Sequence, residues 1–204
     1  LTTNVSLPKL SSGMDHYQLN GDLMIATGAT LTFEPSTRFY VTAGLDVTVN
    51  GALVINNAEW VRFHDQGGAC GIVVNGTMSA TGPVTRFEDV NSASYDAGTY
   101  LTVSNTGSFT ASGCYFGVNT VTFAAGSAVS LTGNEFGASV TFSAGSAVNV
   151  TGNEFGAGVY CPVDYVPKLL ANPSFGVVYL SGGILTTNVS LPVLGSGMTQ
   201  YQLN

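Results

Sequence analysis

The stretch that decides the fold is residues 126–142, GSAVSLTGNEFGASVTF, which returns almost unchanged as residues 145–161, GSAVNVTGNEFGAGVYC. Twelve of the seventeen positions are identical at an offset of 19 residues. Within each copy, short β-branched segments alternate apolar with polar residues, and Gly, Asn and Ser interrupt them, as in strands joined by tight turns. A short repeat of this kind predicts a coil of parallel strands.

The same rhythm extends upstream with a longer period. Val49–Leu53 (VNGAL) resembles Val74–Met78 (VNGTM) at an offset of 25, and Arg62–Asp65 (RFHD) resembles Arg86–Asp89 (RFED) at an offset of 24. No segment carries a convincing helical stripe, and the framework of leucine-rich repeats is absent. We therefore predict an all-β fold, a right-handed parallel β-helix (β-solenoid) with coils of about 19–25 residues and no terminal caps.

Successive coils of such a solenoid lie about 4.8 Å apart, so residues one period apart should stack into columns. Two inward columns and one amide ladder are predicted: Phe123, Phe142 and Cys161; Phe136 and Phe155; and Asn134 and Asn153. The asparagines are expected at a turn, where Asn tolerates a left-handed backbone. Gly133 and Gly152, beside them, are expected to relieve the same corner.

A second repeat operates on a longer scale. Residues 1–20 read LTTNVSLPKLSSGMDHYQLN and residues 185–204 read LTTNVSLPVLGSGMTQYQLN, with sixteen of twenty positions identical at an offset of 184. We interpret residues 1–184 as one unit of about eight coils and residues 185–204 as the start of the next tandem unit. Because neither end resembles a cap, the second copy is predicted to stack directly on the preceding coils.

Tyr17–Pro35, YQLNGDLMIATGATLTFEP, together with the VNGAL and VNGTM turns, resembles the right-handed β-helix repeat proteins of bacterial surfaces, including adhesin-like and autotransporter-like solenoids. Phe33 takes the place of an Ile in the family's pattern, and Ser36 takes the place of its last Gly. The resemblance implies a β-helix in an extracellular or cell-surface setting. It implies no activity, because the fold carries spacers, adhesins and enzymes alike.

The amino-acid composition argues against nucleic acid and membranes as partners. Charged residues make up 8% of the chain, against about 25% in an ordinary domain. The net charge is −7, and five Lys and Arg residues cannot form the basic stripe that nucleic acid or an anionic membrane needs. No apolar run approaches the roughly 18 residues of a membrane span. The three cysteines, Cys70, Cys114 and Cys161, are expected to be free, buried thiols.

Glu135 and Glu154 are the sharpest candidate for a metal site. At an offset of 19 their carboxylates should lie roughly 5 Å apart, and Asn134 and Asn153 would add oxygens to a Ca²⁺ site. The alternative, which we favour, is that both glutamates point to water. No metal ion or other cofactor is expected.

Other candidate chemistry is sparse. Asp15 and His16 become Thr199 and Gln200 in the second copy, as a surface loop tolerates and a catalytic pair would not. Four charged residues recur at an offset of 24 and are expected to form outer ladders of paired charges, with a ligand site as the alternative: Arg62, Arg86, Asp65 and Asp89. Three aromatic residues are those that a sugar-binding groove would use: Tyr40, Trp60 and Tyr100.

The expected function is structural. Polysaccharide hydrolases need clustered carboxylates, and lyases need a cation site with a basic residue, and neither pattern occurs in the sequence, so no enzymatic activity is expected. We expect an extracellular or cell-surface fibre or adhesin stalk, whose partners are adjacent repeat units stacked end to end and, further, cell-surface glycans. The alternative is a glycan-binding module or a polysaccharide-degrading enzyme on the same scaffold. That alternative requires several acids and aromatics on one face, and the sequence shows no such concentration.

Overall fold

The protein forms a parallel β-solenoid of about eight turns with almost no helix, which confirms the predicted all-β fold. The structure is a computed structural model that describes residues 1–11, 16–64, 68–89, 98–181, 188, 190–198 and 200–203. Within these ranges, the coils contribute strands to three parallel sheets, and each strand inside a sheet pairs with the strands of the coils before and after it, while the end strands of each sheet pair on one side only.

Twenty-four strands of the described residues build the three sheets. The first sheet contains β1 (Val5–Leu7), β4 (Thr30–Phe33), β7 (Ala52–Asn56), β10 (Thr77–Thr81), β13 (Ser108–Ser112), β16 (Ala128–Thr132) and β19 (Ala147–Thr151). The second contains β2 (Tyr17–Leu19), β5 (Arg38–Val41), β8 (Trp60–Phe63), β11 (Arg86–Asp89), β14 (Tyr115–Gly117), β17 (Glu135–Phe136), β20 (Glu154–Phe155) and β22 (Ser174–Phe175). The third contains β3 (Leu23–Ile25), β6 (Asp46–Val49), β9 (Cys70–Val74), β12 (Thr99–Val103), β15 (Thr120–Phe123), β18 (Ser139–Phe142), β21 (Val159–Pro162), β23 (Val177–Ser181) and β24 (Gln200–Leu203).

Coil length varies along the solenoid. Partner residues are 19 positions apart where Phe123 pairs with Phe142, and 31 positions apart where Met78 pairs with Phe109. The range is wider than the expected 19–25 residues because the longest coil also contains residues 90–97, which lie outside the described ranges. The C-terminal half is therefore the most regular part of the solenoid.

One short helical segment interrupts the coils after β21. Val163–Tyr165 form a 3-10 turn and Val166–Leu169 form the single α-helical turn α1, which packs against β19. The Tyr165 hydroxyl donates a hydrogen bond to the Ser146 carbonyl at 2.6 Å, which ties the segment to the preceding coil. The buried Val166 and Leu169 side chains extend the core beneath it.

In-register parallel pairing places equivalent side chains directly above one another, so apolar positions form continuous columns. The longest column of stacked phenylalanine rings runs along the inner side of the second sheet: Phe87, Phe116, Phe136, Phe155 and Phe175. Its successive ring centroids are 4.8, 4.8, 5.2 and 5.2 Å apart, and all five rings are buried. Phe136 and Phe155 stand at its centre, paired strand to strand.

A second inward column lies in the third sheet. Phe123 and Phe142 are paired and stacked, with ring centroids 5.2 Å apart. Thr141 pairs with Tyr160, which brings Cys161 level with Phe142, and Cys161 in turn pairs with Leu180. Cys161 is fully buried, and all three cysteines are free, buried thiols. Burial raises the pKa of the Cys161 thiol to about 12.

The asparagine ladder occupies an inner corner between the first and second sheets. Asn134 and Asn153 are buried, and Asn172 continues the ladder one coil further. Each Asn Oδ1 accepts hydrogen bonds from the coil before it. Asn134 and Asn153 are not left-handed, in contrast to the expectation, and it is Gly133 (φ 62°) and Gly152 (φ 69°) that take that conformation. Asn is therefore required for its side-chain amide, and Gly for the backbone turn.

The two copies of the long repeat lie in different sheets. Tyr17–Leu19 pair with β5 in the second sheet, whereas Gln200–Leu203 pair with β23 in the third. Both copies keep one local contact, in which the tyrosine hydroxyl donates to a proline carbonyl nine residues earlier: Tyr17 to Pro8 at 3.1 Å and Tyr201 to Pro192 at 2.5 Å. The tyrosine–proline contact is thus common to both copies, although the two copies join different sheets.

Candidate functional site

Aromatic and charged side chains converge on the outer side of the second sheet, between β2 and β14. Strand pairing brings together residues that are 20 or more positions apart in the sequence. This aromatic–arginine face contains the only tryptophan and all three arginines of the chain, and its central residues are His16, Arg38, Tyr40, Trp60, Arg62 and Arg86. Such a concentration is what the glycan-binding alternative requires, and it was not visible in the linear sequence.

Trp60 is the structural centre of this face. Its ring is 5% exposed, although it lies on the outer side of β8, because neighbouring side chains cover it. The Arg62 guanidinium lies over the ring at 4.4 Å from the centroid, and the Arg38 guanidinium approaches it to 5.8 Å. Tyr40 packs edge-on at 4.7 Å. Both cations gain from the ring's negative face, so the indole positions the arginines.

Each arginine is matched by a carboxylate. Arg38 makes a bidentate ion pair with Glu59, at 2.8 Å from Nε to Oε2 and 2.7 Å from Nη2 to Oε1. Glu88 accepts from Arg62 at 3.1 Å and also from Arg86. Burial alone would raise the pKa of Glu88, but the hydrogen bonds from Arg86 and Arg62 outweigh it and lower that pKa. The Glu88 carboxylate therefore stays ionised, which suits a binding group rather than a proton donor.

The register of these charges differs from the one expected. An offset of 24 would place Arg62 beside Arg86, whereas the structure pairs Arg62 with Glu88 at an offset of 26. A shift of two residues keeps every side chain on its own face of the sheet and converts a like-charge contact into an ion pair. Asp89 belongs to the same strand, and Asp65 lies outside the described residues.

Two depressions lie side by side on this face. The first has a volume of about 470 Å³ and is lined by His16, Gln18, Tyr40, Thr42, Ala43 and His64. The second has a volume of about 380 Å³ and is lined by Arg62, Glu88, Asp89, Tyr115 and Gly117. The paired residues Gln18, Tyr40, Arg62, Glu88 and Gly117 form one row through both depressions, along the solenoid axis. Four strand steps of about 4.8 Å make this row about 19 Å long.

Glycine shapes the second depression. A Cβ at Gly117 would lie 2.6 Å from Tyr115 Cε1, so the Tyr115 ring can lie across position 117 only when that residue is glycine. The Arg86 guanidinium covers the ring at 4.3 Å from its centroid. Tyr115 therefore forms a fixed wall of the depression.

The other candidates lie elsewhere. Glu135 and Glu154 pair in register and are exposed, but Asn134 and Asn153 point into the core with their amides hydrogen-bonded, so they cannot supply oxygens to an ion held by the glutamates. Tyr100 lies in the third sheet, away from the aromatic–arginine face, and donates to Asp46 at 2.6 Å.

His16 lies on the aromatic–arginine face, and its partner in the candidate pair, Asp15, lies outside the described residues. Across the described ranges, no group of three or more His, Cys, Asp or Glu residues is placed to hold a metal ion. No described helix is long and apolar enough to cross a membrane.

Sequence reasoning missed several members of the face and of the columns. Glu59 carries no repeat signal, and Tyr115 differs in residue type from Arg86 and Glu135, the residues that it pairs with. Asn172 and Phe175 were detectable, since Asn172 follows Asn153 by 19 positions and Phe175 follows Phe155 by 20. The repeat was hard to see because two residues, Pro173 and Ser174, separate Asn172 from Phe175, whereas Glu154 alone separates Asn153 from Phe155.

Comparisons with models of known protein families, with curated proteins and with solved structures found no match to this chain.

Proposed function

We propose that this chain is a non-catalytic structural spacer, a segment of an extracellular or cell-surface fibre or adhesin stalk built from tandem solenoid units. One observation carries the proposal: the hydrogen-bonded strand pairing is unbroken through the sheets, from β3 to β24 in the third. A rod made of such coils sets a distance, because each coil adds one strand spacing and no flexible joint.

The composition supports an extracellular setting. The polar residues of the chain are mainly Ser, Thr and Asn, and few are charged. The resemblance to bacterial surface solenoids also supports an extracellular setting. We expect the buried core columns and the amide ladder to limit the local unfolding that a protease needs. We propose that adjacent units of the same protein are the main partners, each stacked on the end of the last.

A scattering experiment tests the spacer. A tandem chain of two 184-residue units is compared with one unit by small-angle X-ray scattering, and a matched control carries a flexible Gly-Ser linker at the join. Eight coils at about 4.8 Å predict a maximum dimension longer by about 40 Å, with the profile of a single rod. A profile as flexible as that of the linker control would overturn the proposal.

A further inference from the structure

We infer that the aromatic–arginine face binds a neutral polysaccharide strand that lies along the solenoid axis. This goes beyond the spacer function, because a rod needs no ligand and a rod's stability does not explain the composition of the face. In a chain with 8% charged residues, all three arginines lie on one side of one sheet, around the only tryptophan.

The shape of the face suits an extended ligand. The two depressions adjoin along the row from Gln18 to Gly117, so a ligand that occupies both must run parallel to the axis over about 19 Å. A groove of this length holds a chain of several linked rings rather than a single small molecule.

The chemistry of the lining suits sugars. A sugar ring presents an apolar C–H face, which packs on aromatic rings, and a rim of hydroxyls, which hydrogen-bond to polar groups. The first depression offers the Tyr40 ring between His16 and His64, at centroid distances of 4.4 and 4.8 Å. His16 Nδ1 is buried and has no hydrogen-bond partner among the described residues, and buried polar atoms are normally paired. Because this atom is closed to solvent, a ligand hydroxyl would pair with it only once the His16 ring turns towards the depression.

The charge balance favours a neutral ligand. Arg38 is paired with Glu59, and Arg62 and Arg86 share Glu88, so an anionic polysaccharide would have to compete with carboxylates already in place. Paired arginines still have N–H groups that can donate to hydroxyls.

Sheet pairing disfavours a peptide as the occupant. Peptides commonly bind sheets by adding a strand to an open edge. On this face β5, β8 and β11 are each paired on both sides, so their backbone groups are already used. Recognition must therefore come from side chains.

Affinity electrophoresis of the 204-residue protein tests the inference. Gels containing galactomannan, xyloglucan or mixed-linkage β-glucan are compared with gels containing polygalacturonate or no polysaccharide. We expect at least one neutral polysaccharide to retard the protein and polygalacturonate to have no effect. No retardation by any neutral polysaccharide, or retardation by polygalacturonate alone, would overturn the inference.

Variants locate the site. Tyr40→Ser should weaken the binding about tenfold, measured by isothermal titration with oligosaccharides of the polysaccharide that binds. Tyr179→Ser is the matched control, since Tyr179 stacks on Tyr160 at 4.4 Å in the third sheet, away from the face. Ala43→Gln is a second test that remains available if Tyr40→Ser fails to fold. It fills the first depression without removing a packed ring, and it should also weaken binding. Equal affinity of the wild type and the Ala43→Gln variant would contradict the proposed site. The result does not depend on rod stiffness, so the two proposals can fail separately.

Discussion

Asn153 Oδ1 accepts two hydrogen bonds from Asn134, one from its backbone N–H at 3.0 Å and one from its side-chain Nδ2 at 2.9 Å. Asn172 receives the same pair from Asn153, both at 2.9 Å. The amide side chains thus continue the ladder of hydrogen bonds around a corner, where they satisfy backbone N–H groups that no strand reaches. Because the corner is buried, each of these hydrogen bonds satisfies a polar group that would otherwise have no partner.

An isosteric change tests the ladder. We expect Asn153→Asp to lower the free energy of unfolding by about 2–4 kcal/mol at neutral pH, because a carboxylate cannot donate to the Leu131 carbonyl and Asn172 Oδ1. Urea denaturation followed by circular dichroism measures the change. The exposed Asn149, in the adjacent strand β19, gives the control Asn149→Asp, which should change stability little. Equal effects of the two substitutions would contradict the role of the ladder.

The phenylalanine columns predict a second stability effect. Phe142 is 1% exposed and stacks on Phe123, so Phe142→Ala should cost about 3–5 kcal/mol through the cavity that it leaves. Phe142→Leu should cost less, because it leaves less empty volume. Thr141→Ala, on the outer side of the same strand, is the control in the same urea titration. A loss below about 1 kcal/mol for Phe142→Ala would be incompatible with a packed column.

The buried thiols predict a loss of stability at alkaline pH. Burial raises the pKa of Cys161 from 9.0 to about 12, so the folded protein binds more protons than the unfolded chain between these values. The stabilising contribution is complete below about pH 9 and is lost as the pH rises towards 12. Cys161→Val removes this titration, and its free energy of unfolding should fall less steeply between about pH 8 and pH 11. Parallel curves for the two proteins would refute this.

The paired glutamates predict a small gain on neutralisation. Glu135 and Glu154 are exposed and directly opposite in parallel strands, and like charges in that position destabilise a sheet. Glu154→Gln should therefore raise the free energy of unfolding by about 0.2–1 kcal/mol at low salt, and the gain should vanish near 1 M NaCl. Calcium chloride should act on the wild type only as sodium chloride of equal ionic strength does. A specific stabilisation by Ca²⁺ that Glu154→Gln abolishes would instead indicate an ion site.

The sequence alone predicts which residues pair only where neighbouring coils have equal lengths. Phe123 and Phe142, or Glu135 and Glu154, are separated by the same 19 positions, so a direct comparison of the sequence with itself finds their register. The aromatic–arginine face could not be found that way. Tyr40 meets Arg62 after 22 positions, and Arg62 meets Glu88 after 26, because turns of unequal length separate the strands. The similarity between RFHD and RFED pointed to a register two residues away from the observed one.

The 19-residue register has an evolutionary consequence. A coil whose residues pair with their own counterparts, as Phe136 does with Phe155, can be duplicated in place, and the new copy meets surfaces that already match it. Each duplication would lengthen the molecule by one strand spacing, about 4.8 Å, without a new kind of contact. The length of the solenoid can therefore change by one coil at a time in the C-terminal half, while the longer coils that carry the aromatic–arginine face stay unaltered.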